Sequence, residues 1–167
     1  WQVSYDLDGK KLIMRLGLTA FKHVGIFPEQ AVNWDFISRS VKRFKNPAPS
    51  VLNLFAYTGA ASVAAAISGC QATQVDSIKQ VVNWARENAA LNGNESIRWI
   101  VDDAVKFVQR EIRRGNKYQG IILDPPAFGH GPDGENWKLE RDINNLLKLV
   151  NELLDKEEHF LILNTYS

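Results

Sequence analysis

Asp124-Pro125-Pro126-Ala127-Phe128 is the segment best equipped for chemistry. It follows the apolar run Gly120-Ile121-Ile122-Leu123. Two consecutive prolines stiffen the backbone and set the direction of the Asp124 side chain and of nearby carbonyls. Prolines carry no amide hydrogen, so the loop offers acceptors and few donors. That suits a planar group with an exocyclic amine or ring N–H, and Phe128 supplies a face for it to stack on. A rigid surface turn is the plainer reading of the same string. Three further clusters also end apolar runs. Phe55-Ala56-Tyr57-Thr58-Gly59 contains a glycine where backbone must turn and approach a ligand closely. Asp76 lies 17 residues beyond Gly59, where a carboxylate can accept from both hydroxyls of a ribose or cap the helix that follows. Of the adjacent acids Asp102 and Asp103, one can cap a helix and the other can accept from an adenine amine.

These residues need a scaffold, and the pattern around them supplies one. Tyr5 to Leu16 predicts a hairpin turning at Asp8-Gly9. Pro28 opens a helix through Phe36, Ile37, Val41 and Phe44, and Asn46-Pro47-Ala48-Pro49-Ser50 breaks it. Apolar runs then alternate with helical stripes. Strands are expected at Val51–Phe55, Ala72–Val75, Ile97–Val101, Gly120–Leu123 and Phe160–Leu163. Helices are expected at about Ala60–Ser68, along Ile78, Val82, Ala85 and Ala89, along Ala104, Phe107, Val108 and Ile112, and along Leu139 to Leu154. Continuous apolar strands imply cover on both faces. The expected fold is therefore α/β, a Rossmann-like doubly wound and mainly parallel sheet, with an N-terminal β-hairpin and helix. Two segments are expected, a lead-in over residues 1–49 and the sheet domain over 50–167. Ligands in such sheets lie at the carboxyl ends of the strands, where every cluster named above falls.

Composition narrows the function. The 167 residues carry a net charge of +1 and 45% apolar residues, which excludes an intrinsically disordered chain and blanket attraction to nucleic acid. Local basic surface remains: residues 1–50 sum to +4, and so do residues 104–118 with Lys106, Arg110, Arg113, Arg114 and Lys117. That second cluster reads as a phosphate-binding face or as a solvated helix face. Residues 46–75 carry no charge, but Asn53, Thr58, Ser62 and Ser68 interrupt them, so a buried strand and helix are expected rather than a membrane span. One cysteine, Cys70, excludes an internal disulfide and a cysteine-based zinc site. His23, His130 and His159 show no ligand spacing, and no metal is expected. Trp84 and Trp137 read as packing residues on helices.

Taken together these residues resemble a class I S-adenosylmethionine-dependent methyltransferase. Asp124-Pro125-Pro126-Ala127-Phe128 resembles the family's D/N-P-P-Y/F motif. Leu52-Asn53-Leu54-Phe55-Ala56-Tyr57-Thr58-Gly59 resembles the first motif of the bacterial large-subunit rRNA methyltransferases that make 5-methylcytosine or 7-methylguanine. Gly25-Ile26-Phe27-Pro28-Glu29-Gln30-Ala31-Val32-Asn33 resembles that subgroup's lead-in, F-x-D-Q-R-x-N.

The resemblance implies S-adenosylmethionine as cofactor and ribosomal RNA as substrate in the cytoplasm. Phe55, Tyr57, Thr58 and Gly59 would face the cofactor, Asp76 its ribose, and Asp103 with its neighbour Asp102 its adenine. Phe27 and Gln30 would cover it. Asp124, Pro125, Pro126 and Phe128 would position the target base, Asp124 also touching the cofactor. The resemblance also implies two further strands after the fifth, so the chain is expected to be a piece cut at that point. Ala31 and Trp34 stand where the subgroup has basic residues. No Cys occupies the fourth motif or follows the fifth strand, so covalent attack on a pyrimidine carbon lacks its nucleophile. Transfer to a base nitrogen is the expectation. The alternatives are a non-catalytic adenosyl-binding module and a methyltransferase for a non-RNA amine. A nicotinamide dehydrogenase is disfavoured, because the first turn lacks G-x-G-x-x-G.

Overall fold

The computed structural model describes residues 1–18, 24–94 and 96–165. The chain opens with strands β1 (Gln2–Leu7) and β2 (Lys10–Arg15), paired antiparallel. Asp8 and Gly9 both take positive φ, 57° and 78°, as the tight hairpin turn requires. A 3-10 turn at Pro28–Gln30 leads into α1 (Ala31–Val41). There follow β3 (Ser50–Leu54), α2 (Ala60–Ile67), β4 (Gln71–Asp76), α3 (Lys79–Leu91), β5 (Arg98–Val101) and α4 (Ala104–Arg113). The chain continues through β6 (Gly120–Leu123), a short antiparallel hairpin of β7 (Phe128–His130) and β8 (Asn136–Lys138), α5 (Leu139–Leu153) and β9 (Phe160–Leu163).

Strands β3, β4, β5, β6 and β9 form one parallel sheet in the order β5-β4-β3-β6-β9. The chain runs from β3 outward to β5, then crosses back to β6 on the other side of β3. The switch point therefore lies between β3 and β6, and their carboxyl ends splay apart there. Alternate residues of these strands feed two cores. Val51, Ile122 and Ile162 meet the β1–β2 hairpin, α1 and α2 through Leu7, Leu12, Met14, Trp34, Ile37 and Val63. Leu52, Leu54, Ile121 and Leu123 meet α4 and α5 through Phe107, Val108, Leu146 and Val150. Residues before position 50 thus share a core with the sheet. Full burial of each such side chain contributes about 1.5–3 kcal/mol.

Several expectations are corrected in detail. The first helix stops at Val41 instead of running through Phe44, because Phe44 leaves the helix to stack on Phe160 at 6.1 Å. Ile78 is 50% exposed just before α3 instead of lying on its buried face. Cover on both faces holds for the central strands only. In the border strand β9, Leu161 and Leu163 are 41% and 38% exposed. The β7–β8 hairpin is additional to the expected elements, because three-residue strands with glycines between them carry no detectable alternation. Trp137 consequently sits on β8 and not on a helix. No helix of the described residues is long and apolar enough to cross a membrane.

Candidate active site

A crevice opens at the carboxyl ends of β3 and β6. The turn after β3 forms one wall, and three of its five residues are left-handed: Phe55 (φ 55°), Tyr57 (φ 51°) and Gly59 (φ 87°). Such φ values cost a non-glycine residue about 1–3 kcal/mol, so the surroundings must enforce them. They do. The Ala56 amide donates to the Val75 carbonyl at 3.2 Å, and the Gly59 amide to the Ala56 carbonyl at 3.1 Å. Gln74 Nε2 donates to the Tyr57 carbonyl at 2.8 Å, and Asn88 Nδ2 to the Thr58 carbonyl at 2.8 Å. Thr58 Oγ1 donates to the Gly25 carbonyl at 2.6 Å, tying the turn to the lead-in segment. A side chain at position 59 would place its Cβ 2.7 Å from Gln74 Oε1, so both space and φ demand glycine there.

The opposite wall begins at Asp124, which directly follows β6. Its carboxylate takes no hydrogen bond from the described side chains. Burial, with the negative charge of Glu29 added, pushes its pKa up to about 6. An acid in that state is stabilised by an incoming cation or N–H donor. Pro125 is buried, and the loop after it is clamped: Trp137 Nε1 donates to the Pro126 carbonyl at 2.7 Å, and the Leu139 amide to the Ala127 carbonyl at 3.0 Å. The Trp137 ring also lies 5.1 Å from that of Phe55, so one residue braces both walls. Phe128 is 74% exposed at the start of β7, and neither it nor Pro125 or Pro126 lines the crevice itself. Phe27 and Gln30 roof the site, with the Phe27 ring 5.4 Å from that of Tyr57.

The structure thus gathers Phe27, Gln30, Phe55, Tyr57, Thr58, Gly59 and Asp124 around one space. The other acids stand along the same edge but not on this wall. Asp76 accepts from the Tyr57 amide at 2.9 Å and the Ile78 amide at 3.0 Å, which makes it the peg that holds the turn. Burial raises its pKa against those two bonds. Asp103 caps α4, accepting from the Lys106 amide at 2.9 Å. Asp102 is ion-paired with Arg110. His23 lies outside the described residues, and among those described no group of His, Cys, Asp and Glu could hold a metal ion. Cys70 is buried, and burial pushes its thiol up to about 12, so it is inert.

Two amides not expected at the site, Asn33 and Asn164, join Gln30 at its edge. Asn33 Nδ2 donates to Gln30 Oε1 at 2.7 Å and to Asn164 Oδ1 at 3.0 Å, and Asn164 Nδ2 donates to Gln30 Oε1 at 2.9 Å. Asn33 and Asn164 both line the crevice. Asn164 follows β9, so the strand-end rule that selected Asp124 would have selected it too. The basic cluster on α4 proves largely spent. Lys106 pairs with Asp133 and Glu135, Arg110 with Asp102, Arg114 with Glu111, and Lys117 donates to the Glu152 carbonyl.

The chain that builds this cleft at the switch point is similar in sequence and fold to known proteins. The family model described as S-adenosylmethionine-dependent methyltransferase matches residues 3–164. The chain belongs to that family. Among curated methyltransferases, ribosomal RNA large subunit methyltransferase K/L of Shewanella frigidimarina is 35% identical over 144 residues, 81% of this chain and 19% of the relative. Its namesake in Pseudoalteromonas atlantica is 34% identical over 137 residues, 80% of this chain and 18% of the relative. The chain spans about a fifth of the length of these relatives. The crystal structure of a SAM-dependent methyltransferase from Agrobacterium tumefaciens superposes with a TM-score of 0.86 at 44% identity, covering 96% of this chain and 51% of that one. The cofactor of this family is S-adenosylmethionine. The crevice suits it: a sulfonium carries positive charge, and the uncompensated Asp124 carboxylate borders the space that it would enter.

Proposed function

We propose that this chain binds S-adenosylmethionine and transfers its methyl group to a base nitrogen of RNA, with ribosomal RNA in the cytoplasm as the substrate. Residues 1–49 serve as a lead-in that roofs the cofactor, and residues 50–167 form the cofactor-binding domain. The observation that carries the reading is Asp124, a half-buried acceptor with no side-chain partner among the described residues, set at the switch point at the head of a clamped diproline loop that leads to the exposed Phe128. The printed names of the curated relatives support RNA as the acceptor. Cys70, the one cysteine of this chain, is buried away from the crevice wall, which supports nitrogen over a carbon that must first be attacked.

When bound, S-adenosylmethionine supplies a methyl group already activated by its sulfonium charge. The protein's task is placement. Asp124 and the carbonyls beside it accept from the acceptor's N–H groups and fix the nitrogen. Phe128 stacks the base from the solvent side. The turn from Phe55 to Gly59 presents backbone to the amino-acid end of the cofactor, and the first turn of α2 directs its amides at a carboxylate. Asp76 acts by holding that turn, with contact to the ribose as its further role. Asp102 and Asp103 contribute at the adenine end, the latter while capping α4.

Asp124→Ala tests the reading. Methyl transfer to ribosomal RNA should fall by at least about a hundredfold, while calorimetric affinity for S-adenosylhomocysteine stays within a few-fold. Unchanged turnover would end the assignment.

A further inference from the structure

We infer that the amide cluster Gln30–Asn33–Asn164 reads the edge of the target base and so selects which base is methylated. The inference rests on the reading of the crevice as the methyl-acceptor site, and deepens it. Three neutral amides converge there from separate elements: the 3-10 turn before α1, α1 itself and the residue after β9. Each is oriented by the others. Asn33 spends both of its N–H groups, one on Gln30 Oε1 and one on Asn164 Oδ1. Gln30 Oε1 also accepts from Asn164. The Asn164 backbone is pinned in turn, its amide donating to the Leu123 carbonyl at 2.9 Å, one residue before Asp124.

Among the described residues the bonds leave a definite remainder. Asn164 keeps one N–H donor, and Asn33 keeps its Oδ1 acceptor. No one of these amides can flip alone without breaking its bonds to the others, so donor and acceptor positions are held together as a set. Both residues line the crevice that Asp124 borders. A rigid, uncharged donor and acceptor placed beside a carboxylate match a nucleobase edge, which alternates amine or imino donors with ring-nitrogen or carbonyl acceptors. The charged ends of the cofactor call for charged groups or helix-terminal amides instead. A base that presents the wrong pattern leaves these groups desolvated and unpaired, which is the strongest source of discrimination available to a polar pocket.

The four ribonucleoside 5′-monophosphates provide the test, titrated into the protein saturated with S-adenosylhomocysteine. Binding is followed by the side-chain amide resonances of Asn33 and Asn164. The wild type should favour one base by about tenfold or more, with both resonances shifting. Asn33→Ala and Asn164→Ala should each erase that margin while S-adenosylhomocysteine affinity stays within about threefold. Equal binding of all four nucleotides by the wild type overturns the inference. So does a margin that survives both substitutions, or a loss of S-adenosylhomocysteine affinity matching the loss of nucleotide affinity, which would assign the amides to the cofactor. A wild type that shows the margin yet methylates no RNA supports base reading and instead sinks the transfer reaction.

Discussion

Asp124 carries its charge against two opposing influences, burial and the nearby Glu29, and its pKa rises to about 6. An ionised carboxylate accepts from N–H groups more strongly than a protonated one, so kcat/KM for RNA should climb with pH through about 6. An Asp124→Asn variant should lack that limb in any residual activity, measured as a pH–rate profile. The same shift has a stability consequence. In the unfolded chain the carboxyl ionises near 3.8, so the folded state is the stronger proton binder and loses stability as pH rises from 3.8 to about 6. Asp124→Asn should therefore stabilise the protein above pH 6 by about 1–2 kcal/mol, a figure reduced for partial exposure, and have no such effect below 3.8. This residue was legible in the sequence because an acid at a strand end before two prolines has few other uses. Asn33 was not, and Asn164 was legible only as a residue at a strand end. An amide bears no charge, and its orientation here is set by partners up to 134 residues away.

Helix α3 shows why elements were easier to read than their attachments. Its apolar face was visible in Val82, Ala85 and Ala89, but Asn88 beside them is fully buried and polar. Asn88 Oδ1 accepts from the Arg15 amide at 2.8 Å while its Nδ2 holds the Thr58 carbonyl, so one side chain joins the β1–β2 hairpin to the active-site turn. One turn on, Asn92 both accepts from the Ile13 amide and donates to the Ile13 carbonyl. Periodicity locates a helical face, yet no local pattern tells which distant strand edge a buried amide will satisfy. Asn88→Ala should leave two backbone groups unpaired and cost about 2–3 kcal/mol in urea unfolding, with m unchanged. The β7–β8 hairpin carries the matching lesson for the other wall. Trp137→Phe keeps the ring against Phe55 but deletes the bond to the Pro126 carbonyl. It should lower kcat by about tenfold through a loosened loop and leave S-adenosylhomocysteine affinity unchanged, as single-turnover kinetics and calorimetry would show.

Across the molecule, the two ends of β6 titrate in opposite senses. Asp124 stands at the carboxyl end. At the other end Glu111, fully buried, faces Arg114 at 2.9 Å, Asn116 at 2.7 Å, the Tyr118 hydroxyl at 2.6 Å and Arg98 at 3.4 Å. Burial alone would raise its pKa. The three hydrogen bonds and the Arg98 charge outweigh that and hold the carboxyl at about 2. Its unfolded value is 4.5, so the unfolded chain takes up the proton first as pH falls. The stability that Glu111 contributes is complete above 4.5 and drains away as pH drops toward 2. Glu111→Gln should cost about 2–4 kcal/mol at neutral pH, because it leaves two arginines without their buried counter-charge, and should flatten the acid limb of the stability curve. The binding end thus disfavours its own charge in the absence of ligand, while the opposite end is a settled ion network that anchors β5, α4 and the start of β6. The two groups share no partner, so their effects should add. Denaturant titrations from pH 3 to 8 should show Glu111→Gln removing the rise below 4.5 and Asp124→Asn removing the decline toward 6, with the double variant losing both. A single substitution that abolished both limbs would show the ends of the strand to be coupled, and would refute the division of labour between a strained site and the scaffold that holds it.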